Sequence, residues 1–261
     1  MQYGHFDDEK REYVIDRVDL PTSWTNYLGV EDTCVVVNHT AGGYMFYKTP
    51  EYHRITRFRG NAVPMDRPGH YVYLRDAASG DYWSVSWQPV AKPLSEASYK
   101  CRHGLSYTVY ECDYSNIKAS QTLCVPIGDN LELWDIRVKN EGKEARDLQV
   151  FSYCEFSFHH IMIDNQNFQM SLYCAGSSCE DGIIEHDLFY EEFGYQYFTM
   201  SEKPDGFDCL RDKKGKEARA KYSDPKAVDK AYEALQSYWK NKLDKLQIHT
   251  PHNDAVCTVT E

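Results

Sequence analysis

Asp7, Asp8 and Glu9 stand side by side near the start of the chain, in the stretch GHFDDEKREYVI, and carboxylates are common proton carriers in bond hydrolysis. Two carboxylates that share such work must face one centre from defined distances. Neighbours on a strand point to opposite faces, so the triplet reads as a solvated turn between strands. His159 and His160, in FSFHHIMID, are of metal-ligand type, and His160 could meet Asp164 if the stretch were helical. Strand alternation would send the two imidazoles apart, and a site needs a third converging ligand. His103 lies beside Arg102 and before Gly104, an arrangement that suits an anion or a turn entering a strand.

The chain has nine cysteines, at 34, 101, 112, 124, 154, 174, 179, 209 and 257, with no Cys-x-x-Cys pair. An odd, dispersed set fits reduced and mostly buried thiols. Cys174 and Cys179 are the closest pair, and no second pair exists to complete a zinc site. Nucleophilic chemistry lacks a Gly-x-Ser-x-Gly elbow, and the glycine pair in AGGYMF enters a strand rather than a phosphate-binding helix. The expectation is that the chain holds no catalytic residue, no metal and no cofactor.

Aromatic and amide side chains carry the remaining functional signal. Trp83 and Trp87 lie four apart in DYWSVSWQP, and Asn165, Gln166, Asn167 and Gln169 surround Phe168 in IDNQNFQMS. Sugars are bound by aromatic faces together with amide and acid hydrogen bonds, so Trp83 and Trp87 are the candidates for carbohydrate contact. The alternative is a buried tryptophan pair and a polar loop.

These residues must be held by a β structure. From Tyr3 to about Met200 the sequence is a series of short runs rich in β-branched and aromatic residues with a period near two, among them TCVVVNH, HYVYLRD, LSYTVYECD and LELWDIRVKN. Breakers such as DDE, ASGD and IGDN supply the turn residues of hairpins. Short connections exclude crossover helices, so the fold class is mainly β, an antiparallel sandwich over residues 1–203. A polar linker over 204–224 follows. Asp224 as N-cap, Pro225, and Val228, Ala231, Tyr232, Leu235, Trp239, Leu243 and Leu246 at helical steps predict one amphipathic helix over 225–248, with a tail over 249–261.

Lysine and arginine number 29 against 40 aspartate and glutamate, a net charge of −11 that disfavours nucleic acid and anionic membranes as partners. No apolar run is long enough to span a bilayer, and the first residues lack the pattern of a secretion signal, so the expected location is cytoplasmic.

As a set, several of these runs resemble the N-terminal part of cellobiose and cellodextrin phosphorylases, the inverting glycoside phosphorylases of glycoside hydrolase family 94. The matching text is YGHFDDEKREYVI, PTSWTNYLG, AGGYMFYK with RITRFR, YVYLRD with GDYWSVSWQPV, CRHGLSYT, VPIGDNLELWDIRVKN, VFSYCEF and NFQMS, in the right order. The helix AYEALQSYWKNKLDKLQIHTP is similar to the family's linker helix.

The resemblance implies a β-supersandwich followed by a linker helix, a helical barrel and a homodimeric assembly. It implies a reaction in which cellobiose and phosphate give α-glucose 1-phosphate and glucose, with a barrel aspartate as acid and phosphate, a substrate, as nucleophile. The chain stops just after the linker helix, so the barrel residues have no counterpart and the isolated chain is expected to be inactive. The switch from sandwich to linker between Asp212 and Gly215 comes early, which leaves the sandwich short of some late strands. Asn165, Asn167 and Gln169 match the family's loop over the neighbouring protomer's active-site entrance, where the β-glucoside enters. The expected role is therefore dimerisation and shaping of that entrance. The alternatives are an independent carbohydrate-binding module, or one subunit of a split phosphorylase served by a barrel-bearing partner chain.

Overall fold

A computed structural model describes residues 2–58, 68–157, 159–166, 174–188, 194–207 and 221–244. The opening stretch folds as a hairpin of β1 (Gly4–Asp7) and β2 (Glu12–Ile15), with Asp7 opposite Glu12. Asp7 Oδ1 accepts the Lys10 amide at 3.1 Å and Arg11 takes φ 55°, so the acidic triplet forms the turn expected of it.

Three antiparallel strands follow, β3 (Thr25–Leu28), β4 (Thr33–Asn38) and β5 (Gly43–Tyr47). Next come β6 (Tyr71–Asp76), the short β7 (Tyr82–Ser84), and a meander of β8 (Ser98–Gly104), β9 (Tyr107–Tyr114), β10 (Ile117–Cys124) and β11 (Leu133–Asn140). Strand β12 (Leu148–Tyr153) returns to pair with β6. After α1 (Ile161–Gln166) come β13 (Ala175–Glu180), β14 (Ile183–Leu188) and β15 (Gln196–Thr199), and α2 (Pro225–Leu243) closes the described chain.

The largest sheet has the order β1-β2-β8-β9-β10-β11, and the others are three-stranded: β3-β4-β5, β12-β6-β7 and β13-β14-β15. Alternation decides which face is covered. Ile117, Ala119, Gln121 and Leu123 of β10 are buried, while Lys118, Ser120 and Thr122 between them are more exposed. The inward set packs with Ile15, Leu28, Val35, Val37, Tyr71, Leu74 and Trp83 into one core. Two buried polar groups in this core are paired: Tyr110 donates to the Asn38 carbonyl at 2.7 Å and Gln121 Nε2 to the His70 carbonyl at 2.8 Å, while the Gln121 Oε1 and the Trp83 indole nitrogen find no hydrogen-bond partner among the described residues.

Helix α2 starts as its sequence predicts, with the Asp224 carboxylate accepting the Lys226 amide at 3.0 Å and Pro225 in the first turn. Its apolar stripe lies on the outer face of the large sheet, with Leu235 fully buried and Tyr232 and Trp239 packed against Tyr107, Val109, Cys124 and Leu133. The helix ends at Leu243, capped by Asp244, and residues 245–248 lie outside the described residues. So do 208–220 in the linker and the 249–261 tail.

Two local expectations change. The run DYWSVSW, another of the period-two stretches expected to be strands, is strand only over Tyr82–Ser84, and the stretch after His160, which includes part of the polar loop expected around Phe168, begins as the short helix α1.

Candidate functional site

The segment that resembles an entrance loop is held from below by one buried arginine. Arg57 reaches Asp164 of α1 with its Nη2 at 2.7 Å and its Nε at 3.1 Å from both carboxylate oxygens, and Glu155 with its Nη1 at 3.3 Å. The side chains of Arg57 and Asp164 are 10% and 3% exposed. Burial acts to lower the arginine's pKa, but the two carboxylates outweigh it and hold it above its ordinary value. A planar guanidinium gripping a carboxylate in this way fixes direction as well as distance.

Backbone bonds complete the clamp. The Arg57 amide donates to the Glu155 carbonyl at 2.8 Å, Arg54 to His159 at 2.9 Å, and Ile161 to Glu51 at 2.9 Å. The Arg54 guanidinium lies 3.6 Å from the centroid of the Tyr44 ring. On the outside, Tyr52 meets the His160 ring edge-on at 4.9 Å, and Tyr52, Met162 and Asn165 are exposed.

The histidines of this region serve structure. His186 is pushed down to about 4, chiefly by burial and then by His159 and Arg57, stacks on Phe156 at 5.0 Å, and bonds Ser177 at 2.7 Å through Nδ1. Burial also lowers His159, whose carbonyl serves Arg54. His159 and His160 lie in a bend rather than a strand, and the His160 Nδ1 accepts the Met162 amide at 3.2 Å.

His103 is lowered to about 4, mainly by burial, with Nδ1 3.0 Å from the Thr108 hydroxyl and Nε2 3.2 Å from the Trp24 carbonyl. Its neighbour Arg102 is engaged by Glu111 at 3.1 Å and Glu12 at 3.5 Å. Both groups that could have held an anion are committed within the fold. A cleft of about 260 Å³ beside β4 and β5 includes Ser23, Thr25, Val36, Asn38, Gly42 and Phe58 in its lining. Asn38 Oδ1 there already accepts the Thr40 and Gly42 amides, and no lining residue is charged.

Trp83 corrects the carbohydrate-contact expectation. It is fully buried in the core and meets Tyr114 edge-on at 5.2 Å, so neither face is open to a sugar. Trp87 lies in the turn after β7, half-buried against the same core, and its indole donates to the Lys92 carbonyl at 3.1 Å. The two rings therefore make no shared platform. Of the expected loop residues, Asn165 is exposed at the end of α1, and Asn167 and Gln169 lie outside the described residues.

A general acid at neutral pH needs a carboxyl group whose pKa is raised. Among the described residues every carboxylate with a resolved shift is lowered: Asp16, Asp19, Asp76, Asp81, Asp129 and Glu141. Nor do three His, Cys, Asp or Glu side chains converge among them as a metal site requires. What the geometry provides is a rigid sandwich that presents α1 and its flanking aromatics at the surface.

Sequence reasoning missed Arg57 and its partners. RITRFR holds three arginines, nothing local marks Arg57 among them, and its carboxylate partner is 107 residues away.

Comparison with known proteins gives a match over residues 11–249 to the supersandwich domain of glycosyl hydrolase 94. The N,N'-diacetylchitobiose phosphorylase of Vibrio proteolyticus is 56% identical over 216 residues, 82% of this chain and 27% of the relative. The protein of the same name from Vibrio furnissii is 41% identical over 311 residues, covering 97% of this chain and 39% of the relative. The solabiose phosphorylase of Paenibacillus borealis is 29% identical over 210 residues, 79% of this chain and 27% of that protein. The chain thus spans well under half the length of these relatives. The alignment of 311 residues is longer than the 261-residue chain, so the Vibrio furnissii protein carries residues within the aligned span that have no counterpart here.

Proposed function

Because the chain belongs to the glycosyl hydrolase 94 supersandwich family, we propose that it is the N-terminal sandwich of a phosphorylase acting on N,N'-diacetylchitobiose, and that it carries no chemistry of its own. The observation that carries the choice of disaccharide is the 56% identity to a protein named for that activity. It revises the expectation of cellobiose, which lacks the two acetamido groups. In this reading the acid that protonates the leaving oxygen lies in a further, barrel domain. Inorganic phosphate is then both nucleophile and substrate, and no cofactor is needed.

In this reading the sandwich serves assembly and the shape of the entrance. Asn165, Asn167 and Gln169 would serve the entrance of a second protomer's site, and the Arg57–Asp164 clamp supports this by fixing α1, which carries Asn165. The partner is a second copy or a barrel-bearing chain. The carbohydrate-binding alternative is weakened by the burial of Trp83. No described helix is long and apolar enough to cross a membrane, and a cytoplasmic location belongs to the proposal.

The test is phosphorolysis by the polypeptide that joins this sandwich to its catalytic domain, followed by release of sugar 1-phosphate. A site built to hydrogen-bond an acetamido group should reject the sugar lacking it, so kcat/KM for N,N'-diacetylchitobiose should exceed that for cellobiose by roughly a hundredfold or more. Preference for cellobiose overturns the substrate assignment. Turnover by the sandwich alone, surviving repurification, overturns the division of labour.

A further inference from the structure

The sheet β3-β4-β5 turns one face to the core and the other to the cleft of about 260 Å³ described above. Val35 and Val37 of β4 are fully buried in the core, so alternation sends Val36 and Asn38 outward. Thr25 stands opposite Asn38 and Tyr44 opposite Val36, which gathers the four side chains on one surface. Val36 and Asn38 are nonetheless only 9% exposed, so the outer face is recessed there. Glycine makes the recess: a Cβ on Gly42 would stand 2.8 Å from Asn38 Nδ2 and 3.3 Å from the Phe58 ring, between two residues that line the cleft.

The recess offers a donor without an acceptor. Asn38 Oδ1 accepts from the Thr40 amide at 2.9 Å, the Thr40 hydroxyl at 3.0 Å and the Gly42 amide at 3.0 Å, so the carboxamide cannot turn round without losing all three. Its Nδ2 is thereby held as a donor at the cleft, and it makes no hydrogen bond among the described residues. Tyr44 and Phe58 form the wall beside it, their rings 6.3 Å apart and 32° from parallel. The Arg54 guanidinium on the Tyr44 ring holds that wall in place, and the exposed hydroxyls of Ser23 and Thr25 stand on the rim.

This chemistry narrows the occupant. No lining residue is charged, so a phosphate or a carboxylate would find no counter-ion. A purely apolar ligand would leave the Asn38 donor buried and unsatisfied. An aromatic wall, rim hydroxyls and one fixed donor suit a neutral sugar, which has polar edges and an apolar ring face. The volume, that of about nine waters, has room for one substituted sugar ring. The donor requires an acceptor, and Val36 beside it suits a methyl group; an acetamido group carries the two side by side.

We propose that the cleft is a subsite for one N-acetylhexosamine residue, whose acetamido carbonyl accepts from Asn38 Nδ2, whose methyl lies on Val36 and whose ring packs against Phe58. The choice of an N-acetylated sugar rests also on the reading of this chain as part of a diacetylchitobiose phosphorylase. The subsite does not involve Trp83 or Trp87. Phe58 directly follows Arg57 of the clamp, so a bound sugar is held on the segment that anchors α1.

Titration of the 261-residue chain with N-acetylglucosamine and with glucose, followed by two-dimensional NMR, tests this. N-acetylglucosamine should bind saturably, with a dissociation constant roughly in the millimolar range, and should move the Asn38 side-chain amide and the Gly42 and Tyr44 backbone amides. Glucose should bind about tenfold more weakly or worse, since it leaves the donor unpaired. Thr25→Trp sets a ring across the mouth from an exposed strand position that accepts aromatics, and should abolish binding. Asn38→Asp keeps Oδ1 and replaces the donor by an acceptor, and should weaken binding roughly tenfold or more. Absence of saturable binding, equal affinity for glucose, shifts confined to another surface, or binding indifferent to both variants overturns the inference. Phosphorolysis by the polypeptide joined to its catalytic domain is read separately. A preference for cellobiose there, with N-acetylglucosamine bound here, strikes the substrate assignment and supports the subsite.

Discussion

Trp239, on the buried stripe of α2, donates its indole hydrogen to the Oγ of Ser106 at 2.9 Å, a bond that joins residues 133 apart in sequence. Ser106 sits in the turn between β8 and β9 with φ 62°, so this bond, with Tyr232 donating to the Thr122 carbonyl at 3.4 Å, fixes the helix across the sheet. The apolar stripe that the sequence predicts on this helix is thus seated on the sandwich. Leu235, fully buried beneath it, should be costly to truncate: Leu235→Ala should lower stability by about 2–5 kcal/mol in urea unfolding. Glu233→Ala, on the exposed side, should change it by no more than about 0.5 kcal/mol. Equal effects from the two would mean that the helix does not dock in solution.

The Arg57–Asp164 pair gives a second prediction. Removing one partner leaves a buried charge unmatched, so Arg57→Met should cost about 3–5 kcal/mol. Adding Asp164→Leu to it should recover part of that loss, because the orphaned carboxylate is removed as well. If the double variant were less stable than Arg57→Met by the full single cost of Asp164→Leu, the two side chains would not be coupled.

The fold was largely legible because its signals are local. The β1–β2 turn follows from Asp7, and the start of α2 from Asp224 and Pro225. The site was less legible because its determinants are not. Period-two alternation cannot tell that Trp83 points to the core and not to solvent, since both faces of a half-buried strand accept aromatics. Arg57 finds Asp164 only once β12 has returned to β6 and brought Glu155 and α1 alongside. That Leu235 meets Tyr107 and Cys124 was likewise hidden, because an amphipathic pattern states that a face is buried without naming its partner.

Thiol chemistry separates buried from reachable cysteines. Burial raises Cys112 and Cys124 to about 12 and Cys101 well above its ordinary value. Thiolate is the reactive form, so these three should resist iodoacetamide at pH 8 in the native protein and react on unfolding. Cys34, half-buried near Asp32, should be modified first among these four. Peptide mapping by mass spectrometry reads the order, and early labelling of Cys112 would contradict the burial assigned to it.

The buried imidazoles set a pH dependence with a definite sign. His103 and His186 fall from 6.5 to about 4, in both cases mainly through burial, with His39 adding to the shift of the first and His159 to that of the second. The unfolded chain therefore binds more protons than the folded one between about pH 4 and 6.5, and stability rises with pH across that window. The stabilisation is fully present above the unfolded value and is lost as pH falls toward 4. Allowing for partial solvent access, each contributes on the order of 2 kcal/mol. The lowered carboxylates Asp16, Asp81 and Asp129 withdraw their own contribution only at more acidic pH. His103→Gln should flatten the slope of unfolding free energy against pH between 4 and 6.5 while lowering its value near pH 7, where the neutral ring bonds Thr108 and the Trp24 carbonyl. An unchanged slope in that variant would show that His103 is protonated as readily in the fold as in the unfolded chain.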